Sequence, residues 1–167
     1  MDRREARALI ERLERDAERI ASRFGLRYRS IEPERANLRS RYGVCFADGR
    51  IRIRLRHVST GRSLKYSSLV NTLCHELAHL RHFNHGPRFK AFYLRVLDFA
   101  RAQGIYQPGP LTRAAASDAR AELAALDPSA SGNQYQSATD ELDEIVRATE
   151  VAAGAILDAA DEVDRIA

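Results

Sequence analysis

The sequence has no tryptophan, a single methionine at its start and only two cysteines in 167 residues. Two cysteines, Cys45 and Cys74, are too few for the disulfide framework of a small secreted domain. No stretch approaches the roughly 18 apolar residues of a transmembrane helix. The opening stretch, MDRREARALIERLERDAERI, is charged throughout and lacks the apolar segment of a secretory signal. A cytoplasmic protein that does not span a membrane is therefore expected. No internal repeat recurs at a fixed period.

What is present is charge, unevenly placed. Charged residues make up 30% of the chain and hydrophobic ones 44%, so a packed core is expected. The formal net charge of +4 hides a division. Residues 1–110 hold 23 Lys and Arg against 11 Asp and Glu, a net of +12; residues 111–167 hold 4 against 12, a net of −8. Pro108-Gly109-Pro110 punctuates the change. We expect one domain over 1–107 and an acidic, Ala-rich helical tail over 108–167. The tail reads as a helical segment at 111–126, a polar linker at 127–137 and a final helix at 138–166.

The basic part reads as α+β. Leu9, Ile10, Leu13, Ala17, Ile20, Ala21 and Phe24 recur at helical spacing over 3–24, and Gly25 is a natural stop. A short strand is expected at 26–31 and a helix at 34–40, opened by Pro33. Asp48-Gly49 between 44–47 and 50–57 predicts a hairpin with a tight two-residue turn. In its second strand Ile51, Ile53 and Leu55 alternate with Arg50, Arg52, Arg54 and Arg56, so one face is apolar and the other is a row of guanidiniums. After a loop at 58–65, Leu69, Val70, Leu73, Leu77 and Leu80 form the stripe of a helix at 66–82. Pro87 opens another helix at 87–103, with Phe89, Phe92, Val96, Leu97 and Ala100 inward and Gly104 at its end.

The helix at 66–82 carries His75-Glu76-Leu77-Ala78-His79. Residues four apart share one face of a helix, so two imidazoles can bind one metal ion. Glu76 is offset from that line but near enough to take a proton from water. Phe83-Asn84-His85-Gly86 is a sharp turn that can return His85 to the same place. Three nitrogen ligands and one open position make a catalytic zinc site rather than a structural one.

The third ligand has rivals. His82 lies three residues after His79 on the helix, and Asp98 is the one carboxylate of the next helix. His85 is preferred, because a ligand beyond a turn closes a tetrahedron better than a third from one helix; His82 then stands at the rim. The His79–His85 interval is that of metzincins. That family is rejected, because His82 stands where metzincins have glycine and no methionine follows Met1 to make their Met-turn.

Asn84-His85-Gly86-Pro87-Arg88-Phe89 after this motif resembles the small zinc peptidases of the YgjP-like, WLM and SprT-like groups. Arg41-Tyr42-Gly43-Val44-Cys45 and Gly49-Arg50-Ile51 resemble the YgjP-like segments Arg-Trp-Gly-Ser-Cys and Gly-Arg-Ile. The run at 51–56 and Leu64-Lys65-Tyr66 are closer to the WLM form. The likeness covers about residues 35–103, with Tyr42 for Trp and Val44 for Ser as departures. It implies a minimal zincin fold, a small sheet packed on the active-site helix with a further helix after it. It also implies His75, His79 and His85 as Zn2+ ligands and Glu76 as general base. A protein or peptide substrate follows. In the WLM and SprT-like groups the best-known substrate is protein crosslinked to DNA.

Other residues read less sharply. The Arg50, Arg52, Arg54, Arg56 row is a candidate phosphate face. It reads equally as a solvated strand whose charges block edge pairing, or as the strand on which a substrate backbone aligns. Arg88 and Tyr93 are candidates to stabilise an oxyanion, though Tyr93 reads first as a surface residue. Cys45 and Cys74 read as core, and His57 has no assigned partner. The reading as a peptidase stands against two others: a DNA- or protein-binding module with weak or no hydrolysis, and a metallohydrolase acting on a nucleotide or other non-peptide. An intact Glu76 argues against the pure binding module.

Overall fold

The computed structural model describes residues 2–35, 37–38 and 40–109. The expected helices at 111–126 and 138–166 and the linker between them lie outside the described residues. Helix α1, Arg3–Phe24, starts where the Asp2 carboxylate accepts the Glu5 N–H at 2.8 Å and stops at Gly25, whose φ of 63° suits a residue without Cβ. Its stripe buries Leu13, Ala17, Ile20 and Ala21.

Three strands follow, β1 (Ser30–Pro33), β2 (Gly43–Cys45) and β3 (Arg50–Ile53). Their order is β1-β3-β2, with β1 parallel and β2 antiparallel to β3. The alternation in β3 holds: Ile51 and Ile53 are buried, as is Leu55 just beyond. Helix α2, Tyr66–His79, packs on this sheet and buries Leu69, Val70, Leu73 and Leu77; helix α3, Pro87–Ala102, packs on α2 and buries Phe89, Val96 and Leu97. Helix α2 packs against α1, α3 and the sheet. Phe24 closes the end of α1 edge-on against Phe92 and Phe99, at 5.6 Å each. Among the described residues the architecture is α+β, as expected, and no helix is long and apolar enough to cross a membrane.

Four local expectations are corrected. The first strand begins at Ser30 rather than at 26, and Pro33 ends it instead of opening a helix. Pro33 is tolerated because β1 is an edge strand. No helix forms among the described residues of 34–40. There the Glu34 N–H is claimed by the Ile53 carbonyl at 2.9 Å, and its buried carboxylate holds Arg41 Nε at 3.0 Å. The hairpin turn is one residue wider than the expected pair. Phe46 N–H donates to the Arg50 carbonyl, Gly49 N–H donates to the Phe46 carbonyl, and Gly49 takes a φ of 82°. Finally, α2 ends at His79, three residues before 82, because the chain there turns to bring the His82 carbonyl back to the helix.

Candidate metal centre and active site

The end of α2 and the start of α3 build the site. His75 and His79 lie one turn apart on α2, and the turn at 80–86 returns His85 beside them. His75 Nε2 is 3.0 Å from His79 Nε2 and 3.0 Å from His85 Nε2. One ring nitrogen from each of the three histidines lies within 4.8 Å of the others. Nitrogens about 2.0–2.1 Å from one tetrahedral zinc would stand roughly 3.3 Å apart, so the donor set and its spacing suit such an ion. A single N–H can bridge only one such pair; three converging imidazoles are the arrangement a cation satisfies.

The surroundings fix the rings. His79 Nδ1 donates to the His82 carbonyl at 3.1 Å, which leaves the Nε2 lone pair facing the other two rings. Phe89 is fully buried and touches all three rings, with centroids 4.9 Å from His75, 4.5 Å from His79 and 4.6 Å from His85. Tyr93, one turn further along α3, stacks on Phe89 and lies 5.7 Å from the His75 ring. Its hydroxyl donates to Asn71 Oδ1 on α2. Tyr93 is thus buried, not on the surface where the sequence first puts it.

Glu76 is 5% exposed and lies on the side of α2 that meets β2. Gly43 of β2 crosses directly over it. Cys45, two residues along the same strand, has its thiol pushed up to about 12, first by burial and then by the negative charges of Glu76 and Asp48. The Cys74 thiol is also pushed up to about 12, mainly by burial, and is a core residue as expected.

Other candidates fall elsewhere. The His82 ring leaves the histidine cluster and meets Phe92 edge-on at 5.8 Å; its contribution is its carbonyl. Asp98 is an exposed charge 3.9 Å from Arg101. Arg88 is exposed on the first turn of α3, on a surface hollow of about 560 Å³ that Arg81, His82, Phe83 and Phe89 also line. His57 shapes a tight loop, its N–H donating to the Arg62 carbonyl at 2.8 Å.

The arginine row is largely occupied within the chain. Arg50 binds Asp48 at 2.7 Å and Arg52 binds Glu32 at 3.3 Å, both beside the Phe46 ring. Arg54 is only 6% exposed and donates Nε to the Arg41 carbonyl at 3.0 Å. Arg56 pairs through its backbone with Ser63, in an isolated antiparallel bridge beyond the strand. β3 is also the central strand, so neither edge protection nor an added substrate strand can be its role. The edge beside α2 belongs to β2. Gly43 and Phe89, with Asn71 behind Tyr93, are the contacts that sequence reasoning did not assign to the site; the only signal was their place in, or next to, the matched segments.

A family model described as YgjP-like, metallopeptidase domain, matches residues 1–103. The chain belongs to the YgjP-like metallopeptidase family. The match includes α1, so the family's domain begins well before the segments at 35–103 that carry the sequence likeness. Among solved structures the fold is similar to that of Wss1 from Saccharomyces cerevisiae, with a TM-score of 0.56 and 17% identity over 62% of this chain and 84% of that one. A Wss1 mutant from the same yeast matches equally, at a TM-score of 0.56 and 17% identity, over 63% of this chain and 87% of that one. That likeness is one of fold: a minimal zincin of helices and a small mixed sheet. No curated protein sequence matches this YgjP-like chain.

Proposed function

We propose that this metallopeptidase is a zinc-dependent endopeptidase in which His75, His79 and His85 hold the metal and Glu76 is the general base. The observation that carries the reading is the convergence of three imidazole nitrogens, with the carboxylate residue next to His75 in the chain, Glu76, also buried. Zinc in such a site supplies Lewis acidity and brings the pKa of a bound water to about 7. Glu76, buried next to His75 in the chain, would accept a proton from water at its carboxylate and return it to the leaving amine. His79 keeps its tautomer through the His82 carbonyl, and Phe89 keeps water from the back of the rings. The outer edge of β2, which runs past Glu76, offers backbone hydrogen bonds to an extended peptide.

The activity belongs to residues 1–107, and 108–167 form an acidic appendage. The net charge of +12 over 1–110 favours substrates associated with nucleic acid. Arg50, Arg52 and Arg54 weaken that preference, since their guanidiniums serve internal contacts. A binding module without hydrolysis would have no use for Glu76.

Metal analysis with a peptidase assay on wild type and Glu76→Gln tests the proposal. Wild type should carry one zinc; Glu76→Gln should keep the zinc and lose at least about 100-fold in turnover. Wild-type protein that holds no metal after purification and zinc addition would overturn it.

A further inference from the structure

Glu76 has a partner that carries no chemistry of its own. A Cβ placed on Gly43 would lie 2.6 Å from Glu76 Oε1, 2.9 Å from Glu76 Cγ and 2.7 Å from Thr72 Cγ2, where an ordinary contact begins at 3.4 Å. Thr72 and Glu76 are four apart and so share one face of α2. That face is roofed by β2, with Gly43 at its first position. The φ of Gly43 is not the reason for glycine there, since no left-handed value marks it. Lack of a side chain is the reason: any other residue at 43 must push the carboxylate or the strand.

We infer that Gly43 is the positioning residue for Glu76, setting by its missing Cβ how close the edge strand lies to the base. The inference rests on the reading of Glu76 as general base. It also ties two parts of the site together. The strand edge that would hold a peptide and the carboxylate that would take the proton are in direct contact, so the register of one fixes the reach of the other. Displacing Glu76 by close to an ångström leaves metal and peptide binding in place and removes the proton acceptor from its geometry.

The test is Gly43→Ala, with Thr72→Ser, the Gly43→Ala/Thr72→Ser pair and Glu76→Gln beside it. Thr72→Ser removes the methyl that the added Cβ would strike but keeps the hydroxyl, which donates to the Ser68 carbonyl at 3.1 Å. In Gly43→Ala we expect kcat to fall about 100-fold, as for an ångström-scale misplacement of a reacting group. KM and zinc content should stay near wild type, the pattern of an interaction lost only in the transition state. Thr72→Ser alone should keep wild-type kcat. The pair should melt closer to wild type than Gly43→Ala does and yet stay inactive, and it carries the reading should Gly43→Ala fold poorly. Recovery of kcat in the pair would overturn the inference, because the residue would then only make room for Thr72. Wild-type kcat in Gly43→Ala beside an inactive Glu76→Gln would overturn it alone. Full turnover in Glu76→Gln would overturn the base and this inference with it.

Discussion

Replacing Phe89 by alanine should damage fold and metal site together, and the structure sets the size of each effect. Phe89 is fully buried and, among the described residues, is the largest of the side chains with no exposure. Removing a buried phenyl ring costs about 3–5 kcal/mol when the surroundings only partly collapse. A domain of this size has a total stability of about 5–15 kcal/mol. At about 4–8 °C per kcal/mol, the metal-free variant should melt at least about 12 °C below metal-free wild type. The second effect is specific to the position. Phe89 lies within 5 Å, centroid to centroid, of all three imidazole rings. Without it each ring regains rotamers that metal binding would have to freeze again, and water reaches the three imidazoles from behind. Zinc affinity should therefore fall about 10–100-fold, the loss typical of contacts that orient ligands. Thermal melts followed by circular dichroism, with and without zinc, give the first number; competition with a chromophoric chelator gives the second. A comparable core truncation away from the histidines, Val96→Ala, should lower the melting temperature and leave zinc affinity unchanged. Equal zinc affinity in Phe89→Ala and wild type would refute the claim that this ring organises the site.

Three further outcomes are expected. His85→Ala should lower zinc affinity by more than about 100-fold, whereas His82→Ala should change it by less than about tenfold, because the carbonyl that holds His79 Nδ1 remains; the same chelator competition separates them. Both thiols should resist a disulfide reagent at pH 8 in the folded protein and react fully in guanidinium, since Cys45 and Cys74 are pushed from 9.0 up to about 12. The folded state thus favours the protonated thiols, so the stability they bring is complete below pH 9 and is lost as pH rises towards 12, which alkaline melts of wild type and Cys74→Ala will show.

Helices α1, α2 and α3 were legible because each writes its own apolar stripe. Leu13, Ala17, Ile20 and Ala21 of α1 are buried as their spacing requires, and so are Leu69, Val70, Leu73 and Leu77 of α2. What periodicity cannot see is a backbone group needed elsewhere. The stripe through Leu80 favours a helix to 82, yet His82 serves the site with its carbonyl, and a carbonyl directed back to His79 ends the helix. The sheet was half legible for a related reason. The hairpin joins neighbours in sequence and left the Asp48-Gly49 signal. The parallel pairing of Ile31 with Ile51 joins distant segments and leaves no local mark, so residues 34–40 kept a helical pattern that Ile53 and Arg41 override.

The site divides along the same line. His75 and His79 follow from one helical turn, and His85 from one tight turn. Tyr93 follows Phe89 by four and so belongs to the same buried face, but its hydroxyl argued for solvent until Asn71 supplied a partner across the helix pair. Gly43 is the opposite case. Its segment matches the family, but nothing in a glycine says whether it serves a turn, a bulge or a close approach. Only packing β2 on α2 shows that the missing atom is what lets the strand reach Glu76. The motif therefore names the groups that would do chemistry, while their mutual placement depends on residues such as Gly43 and Phe89 that do none. An HExxH helix transplanted without that roof and that wall would keep its ligands and lose the geometry that makes them useful.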